Sequence, residues 1–214
     1  MRGDRDETRQ PAASQARRRL FVALRFSASQ QAALARTRDA VLGRLRAGHP
    51  TPSANIHLTL AFLGMLDSAG EGRASDALRA AADSCGPVTL WLGDLGAFEH
   101  RRGGVVWRGI AREEGLLDLQ RALVRKLARR DLPVDEKPFV PHVTLVRGAR
   151  AKPDGGVDGQ SGLQRVCAEA SLGLPVLETR HAGASFMWSH HPEGGSLTYT
   201  PILAAPLRGS ERRA

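Results

Sequence analysis

The sequence predicts an α+β protein that is bilobal by internal duplication, with two mostly antiparallel sheets, outer helices and a central cleft. Three observations support this fold class. A strand pattern, a helical pattern and a second strand pattern follow one another twice along the chain. The spacing from Phe21 to His57 and from Val106 to His142 is 36 residues in both halves. Each second strand also begins with the same frame of His, apolar residue, Thr and apolar residue.

The first half opens with RLFVALRF at 19–26, an apolar run rich in strand-forming residues. The following segment, 27–48, has helical periodicity, with Ser27 or Ser29 as its N-cap and Gly48 near its end. One face of this predicted helix carries Leu34, Thr37, Val41 and Leu45.

The second half repeats this order, with GGVVWRGIA at 103–111 as its strand and a helix that ends before Pro133. Acidic residues occupy the first turn of that helix, and its apolar stripe contains Leu116, Leu119, Leu123 and Leu127. The remaining predicted elements are a helix at 68–86, strands at 88–98, 183–190 and 197–207, and a Gly-rich loop at 151–162.

Composition and length are those of a soluble globular protein, with 42% hydrophobic and 25% charged residues among 214. We expect a single bilobal domain at 19–207, between a disordered basic tail at 1–18 and a flexible C-terminal tail at 208–214. No apolar run approaches the ~20 residues of a membrane span, and the N-terminal segment lacks the apolar core of a secretory signal. Two distant cysteines favour a reducing cytoplasm, and we expect a cytoplasmic monomer.

The net charge of +9 is concentrated partly at the ends of the chain. Residues 1–19 carry +3 and residues 208–214 carry +2, which leaves +4 for the body. This modest excess permits an anionic ligand without requiring one. An arginine-rich chain, with 28 Arg against three Lys, is equally typical of a genome rich in G and C.

The two histidine frames, HLTL at 57–60 and HVTL at 142–145, alternate as half-buried strands do. In each frame the His and Thr share one face of the strand, and the apolar residues share the other. A pseudo-twofold axis would bring the two His-Thr faces together in the cleft. Two imidazoles with an ordinary pKa near 6.5 are suited to act as an acid and a base in one reaction. With flanking hydroxyls and no neighbouring carboxylate, the pattern indicates phosphodiester cleavage without a metal.

Five segments together resemble the two-histidine phosphoesterases, and within them the bacterial RNA 2′,3′-cyclic phosphodiesterases, also called the 2′-5′ RNA ligase-like family. The resemblance covers residues 18–207, and its segments are RLFVAL, NIHLTLAFLG, VVWRGI, KPFVPHVTLVR and YTPI. It implies that His57 is the proton donor, His142 the proton acceptor, and Thr59 and Thr144 the phosphate-binding hydroxyls. Further substrate-binding positions implied in the same way are Arg147, Phe62 and Tyr199.

The same resemblance implies that no metal or other cofactor is needed, and that the partner is an RNA or oligonucleotide end bearing a cyclic phosphate. The reaction would open a terminal 2′,3′-cyclic phosphate to a 2′-phosphomonoester. Two alternatives stay open. The substrate could instead be a 2′-5′ linked oligonucleotide or a small cyclic nucleotide, to be split or joined, or the chain could be an RNA-binding module without catalysis.

A metal site at His190, His191 and Glu193 is disfavoured, because adjacent strand residues point to opposite faces.

Overall fold

The computed structural model describes residues 17–101, 103–135, 137–153 and 162–209. Most of the two predicted tails, and most of the predicted loop at 151–162, lie outside the described residues. The α-helices within the described ranges are α1 (Ala28–Leu42), α2 (Ser68–Ala82), α3 (Glu114–Ala128) and α4 (Gly162–Ser171). The strands are β1 (Arg18–Arg25), β2 (Leu45–Pro50), β3 (His57–Leu66), β4 (Val88–Phe98), β5 (Gly104–Ile110), β6 (His142–Ala151), β7 (Leu177–His181), β8 (Gly183–His190) and β9 (Thr198–Pro206).

The described strands form one antiparallel sheet in the order β7-β4-β5-β6-β3-β1-β8-β9, with β2 pairing to β6. The α+β class with an antiparallel sheet is confirmed, but the two sheets expected from the sequence are joined into one. The junction is a single residue pair, Leu58 with Val143, between β3 and β6. Both side chains are buried in the core. The strands β7-β4-β5-β6 form one wing of the sheet and β3-β1-β8-β9 form the other, and the two wings meet at this apolar pair.

On the two sides of the β3–β6 junction the next strands follow a similar order, β5 then β4 on one side and β1 then β8 on the other. Each half gives a strand to the other wing, since β4 pairs with β5 and β8 pairs with β1. The register corrects one detail of the repeat. Phe21 pairs with Phe62, whereas Val105 pairs with Arg147. Because Phe62 and Arg147 stand at the same distance after their motifs, the structural equivalent of Phe21 is Val105 rather than Val106.

The helices pack their apolar stripes into a core that extends under both wings. All four leucines predicted for the α3 stripe are fully buried, and each contributes about 2 kcal/mol by leaving water. In α1, Leu34 and Val41 are buried and Ser27 forms a capping box with Gln30, as the first of the two proposed caps. Helix α1 ends at Leu42 instead of near Gly48, because the next residues form β2.

Three of these α-helices and strands were not predicted, namely β2, α4 and β7. Strand β7 is separated from β8 by Ala182 alone, and this short link connects the edge of one wing to the other wing. The helix predicted at 68–86 and the leucine-striped helix predicted to end before Pro133 are present as α2 and α3. None of the helices in the described part of the chain is long and apolar enough to cross a membrane.

Candidate active site

The two histidine frames begin two strands that lie side by side at the centre of the sheet. Leu58 and Val143 form the junction pair and point into the core. Because neighbouring strand residues alternate between faces, the His and Thr side chains of both frames lie on the opposite face. All four are partly exposed there: His57, Thr59, His142 and Thr144. The antiparallel direction places His57 towards Thr144 and Thr59 towards His142.

His57 is fixed by hydrogen bonds at both ring nitrogens. Its Nδ1 lies 2.6 Å from the backbone oxygen of Asn55, and its Nε2 lies 2.9 Å from Oγ1 of Thr59. A carbonyl oxygen can only accept, so Nδ1 carries the hydrogen and donates. In the neutral ring Nε2 therefore holds the lone pair and accepts from the Thr59 hydroxyl.

His142 is oriented by the same device. Its Nδ1 donates to the backbone oxygen of Val140 at 2.7 Å, again two residues earlier in the chain. Both imidazoles are thus held through Nδ1, which leaves Nε2 as the atom available for proton transfer. In each ring Nε2 is thus the nitrogen that can take up or give a proton, which an acid–base pair would use in opposite directions.

A β-bulge in β6 brings Arg147 to the same face as the histidines. Trp107 pairs with Thr144, but the preceding residue of β5, Val106, pairs with Val146. Leu145 of β6 therefore has no partner in β5. The extra residue on β6 reverses the alternation, so that an odd-numbered residue joins the face of His142. Arg147 is exposed on that face, and no residue that the structure describes forms an ion pair with it.

An equivalent bulge in β3 places Phe62 on the face of His57. Ala23 pairs with Thr59 and Val22 pairs with Ala61, so β3 also contains one unmatched residue. Phe62 and Arg147 therefore take corresponding positions in the two halves, one as an aromatic ring and the other as a cation. The two halves offer the same backbone geometry with different chemistry.

A pocket of about 320 Å³ opens beside His57. It contains five of the seven residues predicted for the site: His57, Thr59, Phe62, Arg147 and Tyr199. The other four lining residues are Arg19, Phe21, Ser189 and Leu197, which the sequence did not single out. His142 and Thr144 do not line this pocket, although the charge of His142 is close enough to affect the pKa of His57.

Aromatic rings enclose both imidazoles. The ring centroid of His57 lies 4.9 Å from that of Phe21 and 5.2 Å from that of Tyr199, which meets it edge-on. The ring of His142 meets Phe98 edge-on at 5.0 Å. Such contacts fix ring orientation and exclude water from one side of each imidazole.

The surroundings hold the pKa of both histidines below the ordinary value. Burial lowers the pKa of His57 to about 4, the hydrogen bond to Asn55 opposes this, and the charges of Arg147 and His142 lower it further. Burial, followed by the charge of Arg147, also lowers the pKa of His142, again against the hydrogen bond to Val140. At neutral pH both imidazoles of this site are thus neutral, and the cation Arg147 lies beside them. A bound anion would raise both pKa values.

Asn55 connects His57 to the opposite wall of the pocket. Its side chain is buried, and its Nδ2 donates to the backbone oxygen of Leu197 at 2.7 Å. Leu197 and Tyr199 line the pocket at the start of β9. Asn55 therefore fixes the segment that orients His57 and the segment that carries Tyr199 relative to each other.

The residues considered for a metal site, His190, His191 and Glu193, lie at and just beyond the end of β8. His190 stacks on Trp188 with a centroid distance of 3.8 Å, and its Nε2 lies 2.9 Å from Oγ1 of Thr200. Within the described ranges, no group of three His, Cys, Asp or Glu side chains could hold a metal ion.

Comparison with known proteins identifies the family to which this chain belongs. The model of the 2′-5′ RNA ligase superfamily matches residues 15–191. An RNA 2′,3′-cyclic phosphodiesterase of Geobacillus stearothermophilus is 27% identical over 157 residues, which are 73% of this chain and 46% of that protein. The protein of the same name from Escherichia coli K12 is 39% identical over 104 residues, covering 48% of this chain and 57% of that protein. The chain thus spans about half the length of the curated relatives it matches.

A solved structure has the same fold over nearly its whole length. The crystal structure of E. coli LigT complexed with 3′-AMP superposes with a TM-score of 0.66 at 26% identity. The superposition covers 89% of this chain and 98% of that one.

Proposed function

The chain belongs to the 2′-5′ RNA ligase superfamily, and we propose that it hydrolyses RNA terminal 2′,3′-cyclic phosphates without a metal. The observation that carries this proposal is the pair of histidine frames side by side, each imidazole held through Nδ1. The names of the two curated relatives support the reaction, and the 3′-AMP complex of E. coli LigT supports a nucleotide as ligand.

In the proposed reaction His142 is the base and His57 is the acid. Nε2 of His142 takes a proton from water as the water oxygen forms a bond to phosphorus. The bond from phosphorus to the 3′ oxygen breaks, and protonated His57 gives its Nε2 proton to that oxygen. One water is added, the product is a 2′-phosphomonoester, and the two histidines exchange protonation states. Proton exchange with solvent restores the starting state.

Arg147 and the two threonines bind the non-bridging phosphate oxygens in this proposal. The Arg147 guanidinium lines the pocket without a carboxylate partner among the described residues, so its charge is available to the substrate. Hydroxyls of Thr59 and Thr144 complete the donor set. Tyr199 meets the His57 ring edge-on and lines the pocket, where it would contact the terminal nucleoside.

Binding of the phosphate would also prepare the acid. In the ligand-free protein His57 has a pKa of about 4, so little of it is protonated at neutral pH. An anion beside the ring opposes the charge of Arg147 and raises the pKa of His57. Substrate binding is therefore coupled to proton uptake.

The alternative within the same enzyme class is a 2′-5′ linked oligonucleotide or a small cyclic nucleotide. A pocket of about 320 Å³ favours a terminal nucleotide as the group that is held, which both alternatives share. We also propose that the protein acts as a monomer in the cytoplasm.

The test is a product analysis in excess chelator. The protein is incubated with a dinucleotide ending in a 2′,3′-cyclic phosphate, with a cyclic mononucleotide and with a 2′-5′ linked dinucleotide. ³¹P NMR should show a 2′-phosphomonoester from the cyclic phosphates. A 3′-phosphomonoester, or turnover that requires an added divalent metal, would contradict the proposal.

A further inference from the structure

A second cation, Arg19, lines the pocket, and it pairs in β3 with Met65, eight residues after His57. Its guanidinium carbon lies 5.0 Å above the ring of Phe62, and it pairs across the sheet with Ser189, another lining residue. Arg19 and Phe21 are two residues apart on β1 and so share a face about 7 Å apart. Because Phe21 contacts the His57 ring, it lies between the imidazole and Arg19 on this face.

Arg19 differs from its neighbour Arg18 in lacking a carboxylate partner among the described residues. Arg18 lies on the other face of β1, where its Nη1 is 3.3 Å from a carboxylate oxygen of Glu71 and its guanidinium covers the ring of Trp188. Arg19 forms no ion pair with any residue that the structure describes. The Phe62 ring holds its guanidinium in place through a cation–π contact.

We propose that Arg19 binds the phosphodiester on the 5′ side of the terminal nucleotide, and that Phe62 positions Arg19 for this contact. The inference rests on the proposed function, because it takes the terminal phosphate to lie between the histidines. The pocket has room for one terminal nucleotide, so a longer chain must leave it across the rim. A cation on the rim with no carboxylate partner matches the next backbone phosphate along that path. The protein would thus favour oligonucleotide ends over cyclic mononucleotides.

The experiment compares a cyclic mononucleotide with a trinucleotide that ends in a 2′,3′-cyclic phosphate, each at several salt concentrations. The test variant is Arg19→Met, which keeps the aliphatic stem against Phe62 and removes the charge. The matched control is Arg18→Met, which removes the same charge from the adjacent residue on the opposite face. Thermal unfolding of each variant establishes that it is folded.

For Arg19→Met we expect kcat/KM to fall about tenfold on the trinucleotide, the scale of one charge-assisted hydrogen bond. On the cyclic mononucleotide it should stay unchanged. The slope of log kcat/KM against log salt for the trinucleotide should become shallower by about 0.7, the value for one phosphate contact of a single strand. Phe62→Leu should give a smaller loss in the same direction, and Arg18→Met should keep the wild-type values.

Two results would overturn the inference while leaving the proposed function intact. One is an equal loss on both substrates, which would place Arg19 at the reacting phosphate. The other is an unchanged trinucleotide rate, or a loss that Arg18→Met reproduces. A wild-type protein that turns over neither substrate would overturn the proposed function and this inference together.

Discussion

The backbone oxygen of Asn55 accepts a hydrogen bond from Nδ1 of His57 at 2.6 Å. Val140 has the same relationship to His142, at 2.7 Å. The two anchors differ in their own support. The Asn55 side chain is buried and bound to Leu197, whereas the Val140 side chain is 44% exposed. His57 is thus tied to the far wall of the pocket, and His142 depends on a more exposed segment.

Asn55→Asp should lower kcat more than it raises KM. The carboxylate has nearly the same shape but cannot donate to Leu197, which leaves a buried carbonyl without a donor. We expect a kcat reduced several-fold and a free energy of unfolding reduced by about 1–3 kcal/mol. Steady-state kinetics and urea unfolding at pH 7 measure both effects. Val140→Ala is the matched control and should change neither kcat nor the free energy of unfolding. Equal effects at the two positions would contradict a specific role for the hydrogen bond from Asn55 to Leu197.

The pH dependence of kcat/KM should be bell-shaped with its maximum below pH 6.5. The pKa of His57 is held at about 4 and that of His142 below its usual value, and kcat/KM reports groups of the free enzyme. The alkaline limb of kcat should lie at higher pH, because a bound phosphate raises both pKa values. A kcat/KM that still rises between pH 7 and 8 would contradict this arrangement.

Arg147→Met should have two opposite consequences. The substrate loses a cationic partner, so KM should rise about tenfold or more. The two histidines lose a neighbouring positive charge, so their pKa values rise and the alkaline limb of kcat/KM moves to higher pH. Arg147→Lys keeps the charge and should keep the wild-type pH profile. A raised KM with an unmoved profile in Arg147→Met would mean that the cation lies away from the imidazoles.

His181 predicts how stability depends on pH. The ring is 5% exposed, Nε2 lies 2.9 Å from Oγ1 of Thr179, and burial lowers its pKa to about 4 despite a hydrogen bond to the backbone of Arg25. Between the unfolded pKa near 6.5 and the folded value, the unfolded chain binds more protons. As the pH is lowered through that window, the free energy of unfolding therefore decreases, by up to about 3 kcal/mol from this residue.

The variant His181→Asn separates this contribution from the rest. It should be less stable at pH 7, because a smaller side chain leaves part of the site empty. Between pH 6.5 and 4, however, it should lose less stability than the wild type in urea unfolding. His57 contributes to the same window in both proteins. An identical loss in wild type and variant would assign the acid sensitivity to other groups.

Residues with strong local periodicity were predictable from the sequence. The leucine stripe of α3 and the alternation of HLTL and HVTL follow from side-chain direction alone, and the fold class follows from their order. Strand β2 was not predictable, because LRAGHP contains few strand-forming residues and pairs with β6, about a hundred residues later. Leu45 fits the helical spacing of the preceding segment, but its burial belongs to the strand.

The parts of the site that the sequence missed depend on distant contacts. Asn55 acquires its importance from Leu197, 142 residues later. Arg19 and Phe21 enter the pocket through the register of β1 with β3, which contains a bulge that no local pattern announces. The single sheet likewise depends on one residue pair between the halves.

Turnover by single and double histidine variants tests the central claim most directly. His57→Ala, His142→Ala and the double variant are compared on a dinucleotide 2′,3′-cyclic phosphate in excess chelator. His190→Ala is the control, because that partly exposed imidazole also contacts a threonine but lies outside the pocket. Circular dichroism establishes that each variant is folded.

Each single substitution should lower kcat by about 10²–10⁴-fold, the usual contribution of a general acid or base. The double variant should be little worse than the poorer single variant, since the two groups act in one displacement. His190→Ala should retain wild-type turnover. A folded His57→Ala protein that opens the cyclic phosphate at nearly the wild-type rate would contradict the two-histidine account.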